Sequence, residues 1–96
     1  HVVPVGFSYD PELHIVRVIT FPSSVKYKNA VRGGRAVVSQ VDGGRWLSLE
    51  GTVTGTSDPT RVAAAVAGYT ARYRQPKERE DRVAIEIAVD RVLGRA

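Results

Sequence analysis

The sequence predicts an α+β fold in which an antiparallel sheet curls into a small barrel. β-rich runs occur in pairs that are separated by short turn sequences, as in β-hairpins. Two segments with helical spacing follow these pairs, and a last β-rich run closes the order. The chain has 96 residues, 43% of them hydrophobic, so we expect a single domain, 1–96, with a thin core.

The first predicted hairpin joins a β-rich run at 1–8 to a second run at about 14–20. The sequence Tyr9-Asp-Pro-Glu12 separates the two runs and is typical of a turn, because proline fixes the backbone there. Pro4 cannot donate a main-chain hydrogen bond, so it marks either a strand interruption or an edge strand.

A short basic helix is predicted within the sequence Phe21-Pro-Ser-Ser-Val-Lys-Tyr-Lys-Asn-Ala-Val-Arg-Gly-Gly34. Two hydroxyls, Ser23 and Ser24, stand at its start, and Lys26 and Asn29 follow within about one turn. Helix starts carry unpaired N–H groups and a partial positive charge, so this combination suits a phosphate or another anion. The alternative is an ordinary surface helix with serine caps and solvated lysines.

The second predicted hairpin joins 35–41 to a strand at about 46–55 through the glycine turn Asp42-Gly-Gly-Arg45. Apolar and polar residues alternate in its second strand, which is the pattern of a half-buried strand. Trp46, the only tryptophan, opens that strand. It is interpreted either as a core or dimer contact or as a stacking surface for a ligand.

A second helix begins at Asp58-Pro59, where the aspartate caps and the proline occupies the first helical position. It ends before Gln75-Pro76, and the charged run 77–81 is predicted to be a solvated loop. One face of this helix is apolar and is formed by Val62, Val66, Tyr69 and Tyr73. The final strand also has an apolar face, which is formed by Val83, Ile85, Ile87 and Val89.

Composition argues against several classes of protein. The net charge is +4, but the basic residues are spread along the chain without a known nucleic-acid-binding motif, so no nucleic-acid partner is expected. No apolar run approaches the roughly 20 residues that span a membrane. Cysteine is absent and the two histidines have no partners at ligand spacing, so we expect a cytoplasmic protein without a metal site. No side chain is assigned as a catalytic acid or nucleophile.

Five separated motifs resemble those of one oxidoreductase superfamily: Val2-Val-Pro-Val-Gly-Phe7, Asp10-Pro11, Ser24-x-Lys26-x-x-Asn29, Val38-Ser-Gln-Val-Asp-Gly43 and Trp46-Leu-Ser-Leu-Glu-Gly51. This superfamily contains the split β-barrel flavin and deazaflavin oxidoreductases, which are related to pyridoxamine 5'-phosphate oxidase. Within it the chain is similar to the actinobacterial branch that uses the deazaflavin coenzyme F420, and there to the F420-dependent biliverdin reductases. Members carry an N-terminal helix and a first barrel strand before the first motif, so the resemblance implies that both are lacking here.

The resemblance implies a homodimeric reductase that transfers hydride from coenzyme F420 to a conjugated substrate such as biliverdin. It implies that Ser24, Lys26 and Asn29 hold the cofactor phosphate, with Ser23 as a helper. The cofactor ring is expected on the backbone of Val3, Pro4 and Val5, and Trp46 is the candidate for stacking. Two alternatives stay open, namely an FMN-binding protein of the same superfamily and a non-catalytic module that binds a cofactor or a tetrapyrrole.

Overall fold

The computed structural model describes residues 7–42, 44–77 and 80–95. Its elements follow the order β1 (Ser8–Asp10), β2 (Ile15–Thr20), α1 (Val25–Val31), β3 (Arg35–Asp42), β4 (Arg45–Thr56), α2 (Pro59–Arg72) and β5 (Val83–Arg95). The five strands form one antiparallel sheet in the order β1-β2-β5-β4-β3. The predicted α+β class is therefore confirmed, whereas closure of the sheet into a barrel is not seen among the described residues.

The loop between β1 and β2 spans 11–14, two residues later than the sequence predicted, because Asp10 still pairs within the sheet. The Asp10 carboxylate accepts hydrogen bonds from the main-chain N–H groups of Glu12 (2.9 Å) and Leu13 (3.1 Å). These bonds, with that from Leu13 contributing most, hold the pKa of Asp10 below its ordinary value. His14 completes the turn with a left-handed backbone, φ 57°, and its side chain is exposed.

A β-bulge interrupts the pairing of β4 with the central strand β5. Glu50 pairs with Arg91 and Gly51 pairs with Val89, so Asp90 is the extra residue. The bulge reverses the alternation of β5 beyond this point, and it was not predicted from the sequence. Strand β5 also continues to Arg95, six residues beyond the alternating pattern at 83–89.

One face of the sheet carries the core. Cross-strand pairs place Val16 opposite Ile87 and Val18 opposite Ile85, and Leu49 opposite Val38. Helix α1 packs on this face through Ala30, which is buried. The buried residues of the cluster are Phe7, Val16, Val18, Ala30, Val38, Leu49, Ile85 and Ile87.

Helix α2 covers the opposite face of the sheet, where it contacts β1, β2 and β5. Asp58 caps it as predicted, since its carboxylate accepts from the N–H of Arg61 at 3.0 Å. The Arg61 guanidinium in turn donates to Glu86 on the sheet. Neither of the two described helices combines the length and the hydropathy that a membrane crossing requires.

Candidate functional site

The candidate site lies beside α1. The position of this helix is set by its N-cap and by its close packing on β4. The Ser24 hydroxyl accepts a hydrogen bond from the N–H of Tyr27 at 3.0 Å and so caps the helix. At Gly55 on β4, an added methyl group would lie only 2.9 Å from Val31 and 3.0 Å from Tyr27. The absence of a side chain at this glycine therefore lets α1 sit directly on the sheet.

A cleft of about 490 Å³ opens between α1 and the core-bearing face of the sheet. Lys26 and Asn29 line it from the helix, and their spacing of three residues places them on one helical face, while Gly33 lines it from the segment that follows the helix. The rest of the lining is mostly aliphatic and consists of Val18, Val25, Ala30, Arg35, Ala36, Val37, Val38, Val53, Ile85 and Ile87. The cleft thus offers a cation and an amide at the rim of an apolar surface.

The two serines of the predicted phosphate site precede this lining rather than forming part of it. Ser24 accepts from the Thr20 hydroxyl at 2.9 Å as well as from the helix N–H. Because a hydroxyl has two acceptor positions and one proton, the Ser24 proton can still be donated to a ligand. Ser23 is exposed in the turn before the helix.

Among the remaining predicted cofactor residues, Trp46 is not part of the lining of this cleft. Val3, Pro4 and Val5 lie outside the described residues. Trp46 stands near the start of β4 with 42% of its surface exposed, whereas α1 packs over Gly55 near the other end of that strand. At the usual strand rise, nine residues correspond to roughly 30 Å. Trp46 is also an odd number of residues from Val53, which lines the cleft, so its side chain lies on the opposite face of the sheet.

Arg35 lines the cleft, but its guanidinium is committed to two carboxylates. It forms a two-pronged pair with Asp90, at 2.6 and 2.9 Å, and it donates to Glu50 at 3.2 Å. The hydrogen bond from Arg35 lowers the pKa of Asp90, and the bonds to Asp90 and then Glu50 raise the pKa of Arg35. The arginine therefore joins β3 to the bulge and does not serve as a free anion ligand.

The sequence identified the polar rim of the cleft but not its apolar lining. Lys26 and Asn29 were predicted as ligands, while the aliphatic lining was predicted only as strand core. The signal was present in the alternation of Val83, Ile85 and Ile87, but a core residue and a cleft-lining residue have the same pattern. Assignment of the lining required the position of α1 above the sheet.

The arrangement suits binding of an anionic, partly apolar molecule. A lysine ammonium and an amide N–H₂ donate to phosphate oxygens, and aliphatic side chains contact a flat apolar ring. The residues at 7–42, 44–77 and 80–95 contain no group of three or more His, Asp or Glu side chains placed to hold a metal ion. A second hollow, about 640 Å³, lies beside α2, and its described lining contains none of the predicted ligands.

Comparison with known proteins identifies a relative that matches along the whole chain. A protein of Mycobacterium tuberculosis (strain CDC 1551 / Oshkosh) named F420H(2)-dependent biliverdin reductase is 54% identical to this chain over 96 residues. The match covers 100% of this chain and 70% of that protein. No protein-family model matches the chain.

Proposed function

Because the chain belongs to the family of F420H(2)-dependent biliverdin reductases, we propose that it is a reductase that transfers hydride from reduced coenzyme F420 to biliverdin. One structural observation carries the proposal: Lys26 and Asn29 lie together at the rim of an apolar cleft. These are two of the residues that the sequence assigned to the cofactor phosphate. The cleft volume, about 490 Å³, is within the usual range for small-molecule sites.

The donor set at the helix fits a phosphate. Lys26 supplies a positive charge, Asn29 supplies amide donors, and Ser24 retains a hydroxyl proton for donation. We propose that these three side chains hold the cofactor phosphate and that the exposed hydroxyl of Ser23 assists them. These side chains, rather than the N–H groups at the helix start, carry this site, since α1 has only seven residues.

We further propose that the backbone of Val3, Pro4 and Val5 supports the cofactor ring and that Trp46 stacks against the cofactor. Hydride transfer is the chemistry that the bound cofactor supplies. The protein binds the two reactants, orients them and excludes water from the space between them. No acid or nucleophile is assigned among its side chains.

The proposed assembly is a homodimer in the cytoplasm, with each chain forming part of a split β-barrel. Two features support the dimer and the barrel. The described sheet has two unpaired edges, β1 and β3, and exposed edges of this kind are normally covered. Large apolar side chains are also exposed at the shared end of β4 and β5, including Trp46 and Val92. The lack of cysteine is compatible with the cytoplasm.

A turnover experiment tests the reductase assignment. The protein is mixed with reduced coenzyme F420 and biliverdin, and the bilin absorbance is followed without oxygen. We expect the absorbance of biliverdin to disappear and oxidised coenzyme F420 to form in equal amount. A second sample receives reduced FMN instead, and faster turnover there would identify the protein as a flavin enzyme.

The same experiment distinguishes an enzyme from a carrier. A changed bilin spectrum without consumption of reduced cofactor would show binding alone, which is the behaviour expected of a non-catalytic tetrapyrrole-binding module. In that case the reductase proposal is wrong.

A further inference from the structure

The main chain of Phe7, the residue before β1, is held by the end of α2. The Tyr73 hydroxyl accepts from the Phe7 N–H at 3.3 Å and donates to its carbonyl at 3.4 Å. Arg72 Nη1 donates to the same carbonyl at 2.9 Å. Both main-chain polar groups of Phe7 are thus satisfied by side chains that come 65 and 66 residues later in the sequence.

The side chain of Phe7 is fixed as strongly as its main chain. Its ring is 5% exposed and belongs to the buried cluster. The Arg72 guanidinium stacks on this ring at 4.8 Å from the ring centre, and it lies 5.4 Å from the ring centre of Tyr73. A guanidinium over an aromatic face is attractive, and here it places the same arginine within reach of the Phe7 carbonyl.

This anchor determines where the chain enters the sheet. Phe7 directly follows the sequence Val3-Pro-Val-Gly6, and Ser8 begins β1. Helix α2 has little freedom of its own at this end, because Gly68 lies so close to Ser8 that an added methyl group would overlap the serine side chain. The position of Phe7 is therefore set jointly by the core and by the end of α2.

We infer that Arg72 and Tyr73 are positioning residues for hydride transfer. They hold Phe7, which comes in the sequence directly after Gly6 and the residues Val3, Pro4 and Val5 that the proposed function assigns to the cofactor ring, while the proposed phosphate ligand Lys26 lies on α1. The inference rests on that proposed function. Loss of the anchor leaves the phosphate contact in place but misaligns the ring, and misplacement by about 1 Å can lower a rate by about 100-fold.

Four variants test this inference. Tyr73→Phe removes only the hydroxyl, Arg72→Ala removes the donor and the stacked cation, and Arg72→Lys keeps a charged donor. Arg74→Ala is the control, since it removes an exposed arginine from the same end of the helix. With biliverdin and reduced coenzyme F420, we expect kcat to fall about tenfold or more in Tyr73→Phe and Arg72→Ala. KM for the cofactor should stay within about twofold, because Lys26 is unchanged.

A second measurement does not depend on activity. Hydrogen exchange of the free protein should be faster at the Phe7 amide in Tyr73→Phe and Arg72→Ala, with β4 and β5 as protected as in the wild type. Arg72→Lys should recover part of both kcat and protection, and Arg74→Ala should match the wild type in both.

Three results would overturn the inference. Unchanged kcat in folded Tyr73→Phe and Arg72→Ala would remove it and leave the proposed function intact. A loss of kcat that is accompanied by equal loss of protection throughout β5 would show a general structural role instead. Absence of turnover in the wild-type protein would refute the proposed function, and the inference with it.

Discussion

Lys26 and Asn29 show how individual residues determine the candidate site. Both are exposed on a helix, yet they face a cleft with aliphatic walls. Lys28 stands two positions further along the same helix and does not line the cleft. Because residues two positions apart on a helix do not share a face, two lysines of the same charge have different surroundings. This difference allows a direct test of the phosphate assignment.

Lys26→Ala is expected to weaken binding of coenzyme F420 by about 1–3 kcal/mol, the scale of a hydrogen bond to a charged group. Lys28→Ala removes the same charge outside the cleft and should have a much smaller effect, which declines further as salt is added. Fluorescence titration of each variant with the cofactor measures the difference. Equal weakening in both variants would indicate general attraction by a basic helix and would remove Lys26 from the site.

Gly51 is a second residue whose role follows from its surroundings. It stands at the bulge, where an added methyl group would overlap the carbonyl oxygen of Ala88 on the neighbouring strand. We expect Gly51→Ala to destabilise the protein by about 1–3 kcal/mol, because main chain must shift to make room. Gly44→Ala is the matched control, since a methyl group there has no neighbour within 4 Å. Denaturant unfolding of both variants tests this, and equal midpoints would contradict the role of Gly51.

At the scale of elements, the short helix and the bulge are linked by Arg35. This residue follows the two glycines after α1, opens β3 and pairs with carboxylates of β4 and β5. Its fork-shaped pair with Asp90 holds the extra residue of the bulge against the edge strand. The network therefore fixes β3, which forms one wall of the cleft. The charges of Arg35, Asp90 and Glu50 are paired with one another and are not available to a ligand.

The stability contributed by this network should depend on pH. Hydrogen bonding from Arg35 lowers the pKa of Asp90 below its ordinary value of 3.8. A carboxyl group whose pKa is lower in the folded state stabilises that state above pH 3.8, and the contribution is lost as the pH falls through the lowered value. Asp90→Asn should therefore lower the unfolding temperature at pH 7 but have progressively less effect below pH 3.8.

The control for this measurement is Glu12→Gln, which neutralises an exposed carboxylate in the loop at 11–14. The unfolding temperature of Glu12→Gln at pH 7 should differ little from that of the wild type. Added salt should reduce the effect of Asp90→Asn, because the ion pair is half exposed. If the unfolding temperatures of Asp90→Asn and the wild type differ by the same amount from pH 7 to pH 2, the charge of Asp90 does not stabilise the fold.

Element prediction succeeded where the signal is local. The cap of α2 at Asp58 and the hairpin of β3 and β4 depend on residues that are close in the sequence; the N–H of Arg61 confirms the first and the pairing of Asp42 with Arg45 confirms the second. The bulge at Asp90 was missed because it depends on a partner strand 40 residues away, which no local pattern reveals. The first loop was misplaced because Asp10, predicted as a turn residue, pairs in the sheet while its carboxylate caps the loop.

Prediction of the site likewise succeeded for local patterns and failed for contacts between residues that are distant in the sequence. The spacing of Lys26 and Asn29 indicated a shared helical face, and the structure places both at one cleft. The anchor between Phe7 and the end of α2 joins residues that are 65 and 66 positions apart in the sequence. Such a contact arises only when the whole sheet is assembled, so spacing alone could not predict it.

At the scale of the whole molecule, two parts of the proposed site, the Trp46 indole and the phosphate site at Lys26, lie far apart in one chain. Trp46 lies roughly 30 Å along β4 from the glycine beneath α1, by the usual strand rise. It also lies an odd number of residues from Val53 of the cleft lining, so the indole and the Lys26 ammonium are on opposite faces of the sheet of one chain. If both contact the same cofactor, Trp46 must come from a second chain of the proposed homodimer.

This argument predicts that disruption of the dimer also weakens cofactor binding. Val92 is 54% exposed on the apolar end of β5, next to the strand that carries Trp46. We expect Val92→Glu to give a monomer by light scattering, because a charge cannot be buried between two apolar surfaces without a partner. The monomer should bind coenzyme F420 more weakly although Lys26 is intact, and quenching of Trp46 fluorescence by the cofactor should be lost. Leu13→Glu, at an exposed residue of the first loop, is the control and should leave both properties unchanged. A wild-type monomer with tightly bound cofactor would contradict the shared site.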